Sequence, residues 1–176
     1  MQDSVAPAAT SPYTVPLQHS ATSGQFNELR DVKLTVPLLR AWKERTSNHF
    51  YTTDIDEMQK VEDEEGYNGE RTPGYIFINQ QPSTVPLYRL YNANSCNHFY
   101  TIDAKERDNA IANLGYKFQS IPGYVYSDGS CGGIPLYRSF HGGITDHFYT
   151  SSSVERDRAV AGGWGYERIE CYILPC

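Results

Sequence analysis

The chain is poor in the features that mark several common protein classes. It has two methionines and two tryptophans in 176 residues, and no apolar run approaches the roughly 18 residues of a membrane-crossing helix. No membrane insertion is therefore expected. No Cys-x-x-Cys pair is present, which argues against zinc or dithiol-redox chemistry, and there is no Asn-x-Ser/Thr sequon. A basic stripe is also missing. The formal charge is -6 and acidic residues gather in Thr53 to Glu65, so no nucleic-acid partner is expected. The first residues lack a basic start followed by an apolar stretch, so they are not an intact signal peptide. The chain reads as the mature form of an extracellular protein with an added Met, or as a cytoplasmic one.

Tyrosine is abundant, with 14 residues, many in short alternating segments that suit half-buried strands or ligand-binding surfaces. At 19.9 kDa the chain can bury one ordinary core. The four cysteines, Cys96, Cys131, Cys171 and Cys176, allow three pairings. Cys131 and Cys176 close similar strands, and two disulfides are expected.

The pentapeptide Asn-His-Phe-Tyr-Thr occurs at Asn48–Thr52 and Asn97–Thr101, and Asp146–Thr150 differs only in its first residue. The histidines are 49 residues apart both times. The interval extends to "VPLLRAW", "VPLYRLY" and "IPLYRSF", then to a helix-like stretch, and ends at "GYIFIN", "GYVYSD" and "CYILPC". Unit three is one residue short near Trp164. Three such units (36–84, 85–133 and 134–176) predict a repeat architecture closed about a pseudo-threefold axis, because an open solenoid of three would need polar caps. The expected fold is mainly β with short helices: a β-trefoil-like domain, each unit having about four strands and one short helix. Residues 1–35 form an N-terminal extension expected to be partly flexible, with Tyr13–Gln18 adding a strand.

Each unit opens on a strand with Pro at its start, and the pentapeptide makes a second. Asp54-x-x-Glu57, Asp103-x-x-Glu106 and Ser152-x-x-Glu155 are capping boxes opening the helices. Ala110, Ile111 and Leu114 give the second helix its expected buried face. Gly66, Gly115 and Gly163 end the helices as left-handed caps.

Several polar and aromatic residues recur and are the candidate ligand-binding set. His49, His98 and His147 share a strand face with Tyr51, Tyr100 and Tyr149. That face is either turned to a ligand or satisfied by backbone, with Phe pointing to the core on the other side. Convergence of the three histidines on a metal is the least favoured reading. Arg40, Arg89 and Arg138 are expected to pair within their own units with Glu57, Glu106 or Glu155, or with Asp108 and Asp157 where present, or to bind sugar hydroxyls or a carboxylate. Trp42, Tyr91 and Phe140 are stacking candidates. Asn48, Asn97 and Asp146 fix a turn or accept a ligand hydroxyl. No catalytic residues, metal or cofactor are expected: every polar candidate is triplicated, whereas nucleophilic catalysis needs a unique constellation. Triplicated sites suit multivalent binding.

Taken together, "PLYRLYN…HFYTIDAKERDNAI…GYKFQSIPGYVY" resembles a tyrosine-rich repeat module of unknown function, found in fungi and bacteria and often appended to secreted hydrolases. The resemblance covers residues 36–176. Unit two carries Tyr88, Arg89, His98, Phe99, Tyr100, Thr101, Glu106, Arg107 and Asp108. Unit three keeps Tyr137, Arg138, His147, Phe148, Tyr149, Glu155, Arg156 and Asp157. Unit one departs, with Leu39 for Tyr and Met58-Gln59 for Arg-Asp. The resemblance implies a non-catalytic module that binds carbohydrate, and the three-unit form is similar in design to small fungal trefoil lectins, though without their Gln-x-Trp motif. The expected function is lectin-like binding of glycans or glycoproteins at up to three sites, in a defence or immunomodulatory role, with a homodimer allowed. The alternative is a trefoil-type protease inhibitor acting through a non-repeated loop; a weak hydrolase is a third reading.

Overall fold

The three pentapeptides become the innermost strands. In the computed structural model residues 34–176 are described, and the expectation for Tyr13–Gln18 falls outside them. Unit one contains β1 (Thr35–Pro37), β2 (Leu39–Lys43), β3 (Asn48–Thr52), α1 (Ile55–Lys60), β4 (Asn68–Glu70) and β5 (Tyr75–Phe77). Unit two contains β6 (Thr84–Asn92), β7 (Asn97–Thr101), α2 (Ala104–Asn113) and β8 (Lys117–Tyr126). Unit three contains β9 (Ile134–His141), β10 (Asp146–Thr150), α3 (Ser153–Ala161) and β11 (Gly165–Ile173). The described residues are thus mainly β with three short helices.

In every unit the opening strand pairs antiparallel with the pentapeptide strand on one edge and with the closing strand on the other. Strands β2, β3 and β4 form one sheet, and the other eight form a second that curls as a half-barrel. Four strands per unit were expected; units two and three have three. Their closing strands, β8 and β11, run continuously because bulges absorb the extra residues, in β8 opposite Leu87 to Leu90 and in β11 between Tyr166 and Cys171. In unit one the same stretch is split into β4 and β5. The ends of the closing strands meet one another, Phe77 opposite Tyr124, Tyr126 opposite Tyr172, and Tyr75 opposite Leu174.

The core has two levels. A central cluster takes Leu38, Leu87 and Leu136, Tyr51, Tyr100 and Tyr149, and Ile76, Val125 and Ile173, together with Cys171. Satellite clusters lie under the first two helices: Ala41, Phe50, Met58, Val61 and Tyr67 in unit one, and Leu90, Phe99, Ala110 and Tyr116 in unit two. Both faces of the pentapeptide strands are therefore covered, one by the centre and one by the unit's own helix. Of the two readings of the His/Tyr face, the exposed one does not occur.

The helix starts match the expected caps, with one difference. Asp54 and Asp103 each accept from two backbone N–H groups, and Ser152 accepts from Glu155 N. The glutamates do not fold back on the caps. Thr52, Thr101 and Thr150 accept from the cap N–H groups instead, which frees the carboxylates for other partners. Gly66, Gly115 and Gly163 have φ of 76°, 75° and 100°, the left-handed closure expected of them. On α2 only Ala110 is buried; Ile111 and Leu114 are exposed, because a helix this short offers the sheet one narrow stripe.

All four cysteines are unpaired. The two expected disulfides are not present. Cys171 stands fully buried where units one and two place Gly74 and Gly123, and Cys131 and Cys176 are exposed.

Candidate functional site

Most of the recurring polar residues turn toward a neighbouring unit, the arginines toward the preceding one. Arg40, Arg89 and Arg138 are buried in strands β2, β6 and β9. Each makes a forked pair with a helix-start glutamate of a neighbouring unit, not its own. Arg40 reaches Glu155 at 3.0 and 2.9 Å, Arg89 reaches Glu57 at 2.9 and 2.7 Å, and Arg138 reaches Glu106 at 2.9 Å through both terminal nitrogens. The same guanidiniums lie over Phe148, Phe50 and Phe99 of those neighbours, 5.1–5.3 Å from the ring centres. Own-unit pairing fails for a topological reason: the arginine and the helix of one unit lie on opposite faces of its sheet.

The first pentapeptide residues reach the other way, to the following unit. Asn48 donates to His98 Nδ1 at 2.8 Å and accepts from His98 N, while its amide also donates to the Tyr67 hydroxyl. Asn97 does the same for His147 and Tyr116. In unit three Asp146 takes His49, accepting from its backbone N at 3.1 Å and its Nδ1 at 2.6 Å. Trp164 follows the cap glycine there, in the place of Tyr67 and Tyr116. The two exchanges are coupled: a carboxylate has no N–H to give, and Trp has no hydroxyl to receive one. These residues do not make the Asx turns expected of them.

The tyrosines close the pattern. Tyr51 donates to Tyr149 O, Tyr149 to Tyr100 O, and Tyr100 to Tyr51 O, at 2.6–2.8 Å. Each hydroxyl in turn accepts from the backbone N–H of another of the three. Burial drives all three phenol pKa values up. Burial, reinforced by the nearby Arg89 and Arg138, lowers His98 and His147 to about 3, so both are neutral imidazoles at pH 7. Burial alone would raise Glu106, but hydrogen bonds from Arg138 and Thr101 outweigh it and hold the carboxyl at about 2. Among the described residues no group of three His, Cys, Asp or Glu side chains is placed to hold a metal.

The arginines differ in what meets Nε. Arg138 gives it to Glu167 at 2.7 Å, within a wider network of Glu106, Glu170 and Arg168. Arg40 Nε lies 3.0 Å from Glu70, an ion pair without the alignment of a hydrogen bond. Arg89 Nε makes no hydrogen bond, and Gln119 stands where the other units carry Glu70 and Glu167.

Of the candidate set, Trp42, Tyr91 and Phe140 keep partly exposed rings. Each packs at a tilt against its own unit's histidine, with ring centres 6.3, 4.5 and 4.6 Å apart. Tyr91 lines a surface cleft of about 400 Å³ with Ala93, Asn94, Gly115, Lys117 and Gln119. A second cleft of about 460 Å³ lies between units one and three and includes Arg40, Arg71, Glu155 and Arg158.

The sequence reading missed that second cleft and a surface arrangement found in units two and three. Arg107 lies 4.3 Å over Tyr88 and pairs with Asp108; Arg156 lies 4.4 Å over Tyr137 and pairs with Asp157. The recurrence of Arg-Asp after the helix glutamate was the available signal.

A family model described as a domain of unknown function matches residues 37–174, the whole span of the three interlocked units. The chain belongs to the DUF5648 family. No curated protein and no solved structure matches it. The DUF5648 match begins at the strand carrying Arg40 and ends beyond Ile173, so it takes in every arginine, histidine and tyrosine of the inter-unit contacts.

Proposed function

We propose that this DUF5648 protein is a non-catalytic, lectin-like carbohydrate-binding protein, acting extracellularly on glycans or glycoproteins. The architecture belongs to the proposal: three 49-residue units closed about an approximate threefold axis, trefoil-like in that closure. Its support is the closed ring of contacts: arginine and tyrosine side chains reach the preceding unit, and Asn48, Asn97 and Asp146 reach the following one.

One observation carries the binding reading. Tyr91 presents a half-exposed ring, held from behind by the buried His98, at a cleft that also carries Asn94, Lys117 and Gln119. A fixed aromatic face suits the apolar side of a pyranose, and amide and ammonium groups suit its hydroxyls. The buried arginines, histidines and central tyrosines serve by holding such rings in place. Phe140 and Trp42 occupy the same strand position in the other units.

A glycan array with wild type beside Tyr91→Ala tests the reading. His98→Ala is the wrong probe, since that ring is buried between units. Wild type is expected to bind a subset of glycans, and Tyr91→Ala to weaken that binding at least about tenfold with an unchanged melting temperature; tenfold corresponds to about 1.4 kcal/mol. Silence of the wild type across neutral and acidic glycans overturns it.

A further inference from the structure

The cleft between units one and three differs in charge from the rest of an acidic chain. Arg40, Arg71 and Arg158 line it, and the carboxylate in its wall, Glu155, is already committed to Arg40 and Thr150. Glu70, behind Arg40, is likewise committed to that guanidinium. Arg71 and Arg158 are a different case. Neither makes an ion pair among the described residues, whereas Arg107, Arg156 and Arg168 each hold a carboxylate.

The other two junctions do not repeat this. Where unit one has Arg71, unit two has Ser120; unit three has Arg168, consumed by Glu106 and Glu170. Where α3 has Arg158, α2 has Asn109. Two uncommitted guanidinium forks therefore meet at one junction in a molecule of formal charge -6, and a planar carboxylate is the group such forks take best. Thr72 adds a hydroxyl beside them, with Pro73 and Val154 as apolar wall.

We infer that this cleft binds the carboxylate of an acidic saccharide, a uronate residue, as a second subsite separate from the Tyr91 cleft. The inference rests on the carbohydrate-binding reading above.

Isothermal titration of the full chain with a short oligogalacturonate, and with its methyl ester as the uncharged control, decides the matter. At about 0.15 M salt the acid is expected to bind at least tenfold more tightly than the ester. Arg71→Ala/Arg158→Ala should abolish that preference, and Arg45→Ala, an exposed arginine outside the cleft, should leave it intact. Both variants change exposed side chains, so a matched melting temperature confirms that folding is not the cause. Equal binding of acid and ester, retained in the double variant and lost in Tyr91→Ala, overturns the uronate subsite but leaves the carbohydrate reading standing. An equal loss of preference in Arg45→Ala means diffuse charge and overturns the subsite as well. Absence of binding to either saccharide, and to every glycan on the array, overturns both.

Discussion

Tyr100 shows how much a single side chain does here. Its ring fills the centre of the core, its hydroxyl donates to Tyr51 O, and the same oxygen accepts from Tyr51 N. Tyr100→Phe keeps the ring and orphans two buried backbone groups, so it should destabilise by about 1–3 kcal/mol in denaturant unfolding. A second prediction concerns acid. His98 and His147 have folded-state pKa values of about 3 against an ordinary 6.5. Between those limits the unfolded chain binds more protons, so each contribution is complete above about pH 6.5 and is lost as pH falls toward 3, by up to about 1.4 kcal/mol per pH unit each. Glu106, lowered from 4.5 to about 2, adds a loss below about 4.5. Asp146 and Glu170, raised by burial, act in the opposite direction and soften the decline. The melting temperature should fall from pH 6.5 to 4.5, and less steeply in His98→Gln; a flat wild-type profile would contradict the assignment. At this scale the sequence made recurrence plain but not direction. Fifteen residues were legible as a set, and nothing in a strand's alternation says whether a polar face looks to solvent or to another unit.

Within the elements, the three arginine strands form a natural substitution series. Glu70 and Glu167 stand where β8 carries Gln119, and Arg89 Nε is the donor left without an acceptor. Gln119→Glu places a carboxylate at that position, as in the other two units. It should raise stability by about 0.5–1.5 kcal/mol, a gain that Arg89→Met cancels in a double-mutant cycle. The helix signals were the most legible part of the chain: three caps and three left-handed glycines fell where expected. Their glutamates were misread, because a capping box and an ion-pair anchor leave the same Ser/Asp-x-x-Glu trace. Only the sheet, by placing Arg and helix on opposite faces, removes the own-unit pairing.

At the level of the whole molecule the units are not independent. Each contributes an arginine, an amide or carboxylate, and a tyrosine to a neighbour, so no unit satisfies its own buried polar groups. Removing residues 134–176 strips Glu155 from Arg40, Asp146 from His49, His147 from Asn97 and Tyr149 from the hydroxyl ring. The remaining chain should show no cooperative thermal transition, whereas a solenoid would keep one in its remaining units.

The sequence by itself determined the 49-residue recurrence, the two opening strands and the helix after them, the helix starts and ends, and the recurring polar and aromatic set. These depend on local propensity and on spacing along one unit. Tertiary structure alone decided which unit each polar residue serves, that the cysteines stay unpaired, and that ring faces and unpaired arginines line the surface clefts. Those outcomes depend on contacts between residues 32 to 115 positions apart, and a repeat shows that residues recur, not which of the units they join.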